Sequence, residues 1–227
     1  MKTITSSTTE SPAFAQRSAT FPRWKRTAKP LIEVARTIGF LAAVWNGQYR
    51  PAPHAVKMRI LRSWLPDAAE MTFVETGTYR GDTVLALHHV FKRVISIEIN
   101  PALHELAKSR TAAAQNIDLV LGDCVVELPK ILSNLGGRAA FWLDGHWSGG
   151  VTGRGDMDDP ILVSLNQIGS HPNKTHVLFI DDARTFQGGN SVPDLVEVLS
   201  AIRAINADYS IRVHNDIIVA VPNKGRT

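Results

Sequence analysis

The fold of this chain is indicated by one stretch, Val74-Glu75-Thr76-Gly77-Thr78-Tyr79-Arg80-Gly81-Asp82-Thr83. It leaves an apolar run at 71–75, typical of a buried strand, and enters a helical pattern at 82–89. Gly77 lets the backbone turn sharply and lets a ligand lie against the main chain, while Gly81 lets the helix begin close to the sheet. The amides at that helix start favour an anionic group such as a carboxylate. The stretch therefore predicts a ligand-binding α/β loop.

The region around this loop alternates between short apolar runs and helical patterns. Strands are predicted at 71–75, 93–97, 117–121, 139–143 and 176–180. Helices are predicted at 82–89, 101–115, 125–135, 160–167 and 193–206. Two last strands, 210–214 and 217–221, are separated only by Asn215-Asp216, a spacing typical of a tight hairpin. We predict a Rossmann-like α/β fold, with a mostly parallel seven-stranded sheet, helices on both faces and a C-terminal antiparallel hairpin.

The first 66 residues are predicted to lie outside this alternation. Residues 1–30 are polar and should form a disordered basic tail. Residues 31–66 should form two helices packed on the core, at about 31–46 and 54–64, and 67–227 should form the catalytic domain. The apolar run 31–45 contains Glu33 and Arg36, so we expect no membrane span.

Charge and cysteine content narrow the function classes. The net charge is +4, but residues 1–30 carry six basic residues against one acid, so the rest of the chain is slightly acidic. This distribution argues against a nucleic-acid partner. The single cysteine, Cys124, excludes an internal disulfide and fits a reducing compartment, so we expect a cytoplasmic protein. A homo-oligomer remains open.

Acidic residues stand at the ends of the next two predicted strands. Glu98 ends the second and can accept both hydroxyls of a ribose. At the end of the third, Gly122 permits close approach of a flat ring and Asp123 can accept a hydrogen bond from an amine. Either acid alone is also a candidate helix N-cap. Nicotinamide and flavin cofactors fit poorly, because Tyr79 replaces the second glycine of their fingerprint.

With these strand ends and Phe141-Trp142-Leu143-Asp144, residues 70–222 resemble the class I S-adenosylmethionine-dependent methyltransferases. The resemblance implies that the glycine loop holds the amino-acid part of the cofactor and Glu98 its ribose. It also implies that Asp123 and the Cys124 amide read the adenine. The cofactor-binding set is then Glu75, Thr76, Gly77, Thr78, Tyr79, Gly81, Asp82, Thr83, Glu98, Gly122, Asp123, Cys124 and Asp144.

A second group of acids marks the acceptor side. Asp144 ends the fourth predicted strand, and Asp181-Asp182 end the fifth, which should be its neighbour about 4.8 Å away. Three carboxylates at one sheet edge repel each other unless a cation joins them, and Mg²⁺ prefers such oxygen ligands. The arrangement is similar to that of cation-dependent sugar O-methyltransferases of the macrocin and novobiocin type. Alternatively, Asp182 caps the next helix or pairs with Arg184.

His146 lies two residues beyond Asp144, where an acceptor hydroxyl is expected. An imidazole that titrates near neutral pH is suited to be the general base, and Asp144 is the other predicted catalytic residue. His146 is also a candidate metal ligand or a structural loop residue. The segment 148–159 is rich in glycine and aspartate, which predicts a mobile loop. Asp156, Asp158 and Asp159 in this segment are alternative metal ligands.

The sequence therefore predicts an S-adenosylmethionine-dependent O-methyltransferase that acts, with Mg²⁺, on a small acceptor such as a sugar or glycoside. Two other interpretations of the function remain. One is a different enzyme on the same fold, such as a metal-dependent hydrolase or a decarboxypropyl-transfer relative. The other is a catalytically silent S-adenosylmethionine-binding module.

Overall fold

A computed structural model describes residues 29–46, 51–144, 160–189 and 192–223. Its helices are α1 (Lys29–Trp45), α2 (His54–Ser63), α3 (Asp82–Leu87), α4 (Pro101–Thr111), α5 (Cys124–Ser133), α6 (Ile161–Ser170) and α7 (Leu195–Ile205). Its strands are β1 (Thr72–Thr76), β2 (Arg93–Glu98), β3 (Ile117–Leu121), β4 (Ala139–Leu143), β5 (Val177–Ile180), β6 (Gln187–Gly189), β7 (Val192–Asp194), β8 (Tyr209–His214) and β9 (Ile217–Pro222). Short 3₁₀ turns lie at Ala68–Glu70 and Ala183–Thr185.

Seven of these strands form one sheet in the order β3-β2-β1-β4-β5-β9-β8. The first five are parallel, and β9 runs antiparallel to both β5 and β8. The predicted sheet and its terminal hairpin are confirmed. Because β1 pairs with β2 on one side and β4 on the other, Thr76 lies between Ile97 and Leu143 at the carboxyl edge. The loops after β1, β2 and β4 therefore meet at the centre of that edge.

The two faces of the sheet bury different sets of side chains, since neighbouring residues of a strand point to opposite sides. On one face, strand residues pack against α2 and α3, as in the set Phe73, Trp142, Phe179, Leu61 and Leu87. On the other, they pack against α5, α6 and α7, as in the set Val74, Phe141, Leu178, Leu128, Leu165 and Val198. Each fully buried side chain of this size contributes about 1.5–3 kcal/mol, so both helix layers are held firmly on the sheet.

The prediction was wrong about the start of α7. The expected helix at 193–206 begins at Leu195, because Val192–Asp194 forms strand β7, which pairs with β6 in a small separate sheet. Asp194 then caps α7, and its side chain and that of Glu197 bond to each other's backbone amides. This reciprocal cap fixes the helix start two residues later than expected.

Among the described residues, helix α1 touches the domain along one side. Phe40 and Ala43 are buried, whereas an apolar stripe at alternating spacings of three and four residues is exposed, namely Leu31, Val34, Ile38, Leu41 and Trp45. Within the described residues, none of the helices could cross a bilayer. The predicted tail lies almost entirely outside the described residues, which begin at Lys29.

Candidate active site

The loop between β1 and α3 has a left-handed backbone at three positions. Gly77 has φ 93°, Tyr79 φ 50° and Gly81 φ 72°. The amides of Gly77 and Thr78 both donate to the carbonyl of Ile97, at 3.0 Å each, which fastens the loop to β2. A Cβ on Gly81 would lie 3.3 Å from the Cβ of Ala107 in α4. Gly81 thus allows close packing against α4, besides the backbone conformation that starts α3.

Glu98 joins this loop to the end of β2. Its Oε2 accepts a hydrogen bond from the amide of Tyr79 at 2.7 Å, and its Oε1 accepts one from the amide of Asn100 at 2.9 Å. Burial raises the pKa of Glu98, and these backbone amides act in the opposite direction by stabilising the carboxylate. A carboxylate has about four lone-pair positions, so room for a ligand hydroxyl remains beside these two amides and that of Ile99.

Glu75 lies behind the loop and is 1% exposed. Its Oε2 accepts a hydrogen bond from the Ser96 hydroxyl at 2.5 Å, and the Thr78 hydroxyl lies 2.6 Å from that of Ser96. Burial raises the pKa of Glu75 to about 8, although hydrogen bonds from Ser96 and Thr83 lower it. The carboxyl group therefore carries a proton near neutral pH.

Two further residues of the predicted cofactor set contact helices. Asp82 forms an ion pair of 2.7 Å with Arg110 of α4, which also bonds to the carbonyl of Arg80. The hydroxyl of Thr83 lies 3.5 Å from Nε2 of His54 in α2. Asp82 and Thr83 thus link the start of α3 to neighbouring helices.

The end of β3 places Gly122 beside Glu98, whose carbonyl accepts the Gly122 amide at 2.9 Å. A Cβ on Gly122 would stand 2.6 Å from Cγ of Glu127, so the side chain of Glu127 covers this glycine. A flat ring at Gly122 would require that flexible side chain to move.

Asp123 is the N-cap of α5, and its side chain accepts the amide of Val125 at 2.8 Å. The alternative role predicted for Asp123, a helix cap, is therefore present in the structure. Burial raises the pKa of the neighbouring Cys124 thiol to about 12, so that thiol is neutral.

The acids at the ends of β4 and β5 come together. Asp144, Asp181 and Asp182 each offer a carboxylate oxygen within 4.8 Å of those of the other two. The amide of Asp144 donates to the Thr76 hydroxyl at 3.2 Å, so this acid cluster adjoins the loop after β1. Burial and the neighbouring carboxylates raise the pKa of Asp144, while Lys57 lowers it.

Lys57 of α2 is a site residue that the sequence reasoning missed. Its ammonium group bonds to Oδ2 of Asp181 and lies 3.7 Å from Oδ1 of Asp182. Only 16% of the Lys57 side chain is exposed. Lys57 lies in the first turn of α2, 124 residues before Asp181 in the chain. No sequence pattern links it to the acids.

Arg184 is a second cation that contacts the acid cluster. It donates to Asp182 at 2.6 Å and pairs with the buried Asp216 of the β8–β9 turn. The expected alternative, a pair between Asp182 and Arg184, is therefore present. Asp182 faces both Arg184 and Lys57, and its backbone has φ 53°.

The three acids have the ligand chemistry of a Mg²⁺ site, since all donors are carboxylate oxygens. Among the described side chains, Lys57 and Arg184 face the three acids and Asp216. A divalent cation at these oxygens would have to displace Lys57 from Asp181.

His146, the predicted base, lies outside the described residues, as do Asp156, Asp158 and Asp159. The described part of the chain ends at Asp144 and resumes at Pro160. His146 is therefore located only by its sequence position, two residues after the first acid of the cluster.

No protein-family model and no curated protein matches this sequence. Solved structures do match its fold. A provisionally assigned caffeoyl-CoA O-methyltransferase of Staphylococcus aureus aligns with a TM-score of 0.52 at 10% identity, over 87% of this chain and 100% of that one. An O-methyltransferase of Bacillus cereus, solved with SAH, aligns with a TM-score of 0.50 at 13% identity, over 87% and 96%.

A third match differs in its named reaction. The precorrin-6y C5,15-methyltransferase of Geobacter metallireducens aligns with a TM-score of 0.50 at 14% identity, over 72% of this chain and 87% of that one. Likeness at such low identity extends to the fold and not to the substrate. The strand order, the antiparallel β9 and these matches agree: the chain has the fold of the class I methyltransferases.

Proposed function

We propose that this chain transfers a methyl group from S-adenosylmethionine to an oxygen of a small polyhydroxylated acceptor, such as a sugar or glycoside. One observation carries the proposal: the glycine loop and the acid cluster adjoin at the edge of the sheet, where the amide of Asp144 bonds to Thr76. A donor in the loop and an acceptor at the acids would then lie side by side. Open α/β sheets bind their ligands at this edge.

The cofactor side of the proposal assigns one part of the ligand to each strand end. The loop 77–81 would hold the amino-acid part, Glu98 the ribose hydroxyls, and Asp123 with the Cys124 amide the adenine. Glu98 supports this role because its carboxylate is already held by two backbone amides and so is fixed before a ligand arrives. S-adenosylmethionine, when bound there, supplies an electrophilic methyl group on its sulfonium.

On the acceptor side, Asp144, Asp181 and Asp182 would hold a divalent cation that lowers the pKa of the acceptor hydroxyl. His146 would take the hydroxyl proton as the general base. Transfer would form a bond between the acceptor oxygen and the methyl carbon and would break the bond from carbon to sulfur, whose electron pair would stay on sulfur. The enzyme contributes by aligning these atoms and by removing the proton, and base catalysis adds about 10²–10⁴-fold.

Ligand-induced stabilisation tests the cofactor part. S-adenosylhomocysteine at 100 times its dissociation constant should stabilise the fold by about 2.7 kcal/mol, which a thermal shift assay detects. No shift with this ligand, together with a shift with NADH, would contradict the proposal.

A labelled-methyl assay against a panel of sugars and glycosides, read by mass spectrometry, tests the transfer. Product is expected with at least one hydroxylated acceptor, and EDTA should abolish it. Full turnover in EDTA would remove the cation from the mechanism. Cofactor binding without any product would favour the silent binding module. His146→Ala should lower kcat strongly and leave cofactor binding unchanged, and an unchanged kcat would place the base elsewhere.

A further inference from the structure

We infer that Lys57 is a displaceable counter-cation: its ammonium group occupies the carboxylate oxygens that a divalent cation needs, so that lysine and metal compete for the acid cluster. The inference rests on the cation site of the proposed function and adds a residue from a different part of the fold. It predicts that the metal binds more weakly than three aspartates alone would allow.

The contacts of Lys57 place it within the cluster and not at its rim. Its ammonium group bonds to Asp181 and lies 3.7 Å from Oδ1 of Asp182, two of the three candidate ligands. The side chain of Asp181 is only 2% exposed. A metal ion at these oxygens would be repelled by the ammonium, and water screens this repulsion little at such burial.

The other cation of the cluster leaves this role to Lys57. Arg184 bonds to Asp182 and is also held by the buried carboxylate of Asp216. The amide of Arg184 donates to Oδ1 of Asp216 at 2.8 Å, which further fixes its position. Arg184 and Lys57 share Oδ1 of Asp182, but Arg184 is also held by Asp216, whereas Lys57 alone, among the described cationic side chains, contacts Asp181.

The backbone below Lys57 is fixed, so displacement has to come from the side chain. The next residue, Met58, and Leu61 are buried in the core between α2 and the sheet. The lysine side chain has four rotatable carbon–carbon bonds and a strongly hydrated ammonium group, so it can swing into solvent without moving the helix. Metal binding would thus release a positive charge toward the space above the acids, where the acceptor is expected.

Titration with Mn²⁺, followed by electron paramagnetic resonance of the free ion, tests this competition on the full chain. Lys57→Met keeps the length of the side chain and removes its charge, so it should bind Mn²⁺ at least tenfold more tightly than the wild type. Lys108→Met is the control, because Lys108 is 65% exposed and its ion pair with Glu105 lies on α4. The control should match the wild type. Equal or weaker binding by Lys57→Met, or no binding by any variant, would overturn the inference.

A second variant covers the case in which Lys57→Met does not fold. Lys57→Arg keeps the charge and offers a forked donor that pairs with two carboxylates, so it should bind Mn²⁺ at least threefold more weakly than the wild type. Unchanged or tighter binding would contradict the competition. S-adenosylhomocysteine affinity, measured on the same samples by calorimetry, should stay constant. If no variant binds S-adenosylhomocysteine, the proposed methyl transfer is contradicted, but the result on competition between lysine and metal still holds.

Discussion

The two halves of the sheet edge satisfy their carboxylates in different ways. At the ends of β1, β2 and β3, the acids Glu75, Glu98 and Asp123 accept hydrogen bonds from uncharged donors, namely the Ser96 hydroxyl and the amides of Tyr79, Asn100 and Val125. At the ends of β4 and β5, the acids face one another and the cations Lys57 and Arg184. Ligand hydroxyls can add hydrogen bonds to the acids of the first half at little electrostatic cost. The stability of the charged cluster, in contrast, depends on how many cations it holds. We expect the first half to respond to neutral polar ligands and the second to cations.

The largest effect is expected from Glu75, an acid of β1 that stays protonated in the folded chain and so makes the free energy of unfolding depend on pH. Between pH 4.5, its ordinary pKa, and about 8, the folded chain retains a proton at Glu75 that the unfolded chain has released. The free energy of unfolding therefore falls as the pH rises through this window. Each pKa unit corresponds to about 1.36 kcal/mol, so a shift of the pKa from 4.5 to about 8 corresponds to a fall on the order of 5 kcal/mol.

Glu75→Gln should remove that dependence, because the amide has the shape of the protonated acid and does not titrate. Urea unfolding at pH 5, 6, 7 and 8 should give a flatter profile than the wild type, with the variant more stable at pH 8. Glu105→Gln, changed at a side chain that is 70% exposed, should keep the wild-type slope. Parallel profiles for wild type and Glu75→Gln would mean that Glu75 is ionised in the fold.

Asp144→Asn tests the charged half. It preserves the shape of the side chain but removes one negative charge from a cluster that is proposed to hold a cation. Turnover should fall by roughly 10- to 100-fold or more, since loss of even an outer partner of a metal ligand costs that much. Affinity for S-adenosylhomocysteine should change little. The labelled-methyl assay and calorimetry measure the two quantities.

Asp118→Asn is the matched control, since that acid is 51% exposed and pairs with Arg93 on β2. It should retain turnover. If Asp144→Asn instead keeps full turnover and loses cofactor affinity, Asp144 belongs to the cofactor half and the division of the edge is misplaced.

The residues of the two halves could be predicted from the sequence to different extents. Acids directly at strand ends, such as Glu98 and Asp144, could be located because parallel strands bring their carboxyl ends to one edge. Lys57 could not be found this way, since it comes from a helix before the alternating region and side-chain direction there depends on tertiary packing. Strand β6 was missed for a different reason: Gln187-Gly188-Gly189 has no apolar alternation. The positions of the strand-end acids were therefore predictable, and contacts from outside the repeating unit were not.

Glu98→Ala should weaken cofactor binding and so test whether the uncharged half holds the ligand. The loss should be about 1–3 kcal/mol in binding free energy, the scale of hydrogen bonds to a charged group. Because Glu98 also holds the Tyr79 amide, Glu98→Gln separates the roles: it keeps an acceptor oxygen but loses the charge. Calorimetry with S-adenosylhomocysteine should rank wild type above Glu98→Gln and Glu98→Gln above Glu98→Ala. Affinity equal to wild type in Glu98→Ala would remove Glu98 from the ligand site.

The smallest effect is expected at Gly81, where the cofactor loop meets α4. Alanine there must adopt φ 72°, and its Cβ would lie 3.3 Å from that of Ala107. Left-handed backbone costs a residue with a Cβ about 1–2 kcal/mol, so Gly81→Ala should lower the free energy of unfolding by roughly that amount. Gly137→Ala is the control, because no atom lies within 4 Å of its added Cβ and its φ is not positive. Urea unfolding should show a loss in the first variant and no loss, or a small gain from the stiffer unfolded chain, in the second. Equal stability of Gly81→Ala and wild type would show that the loop can move away from α4 freely, and the uncharged half would then be less preorganised than its hydrogen bonds indicate.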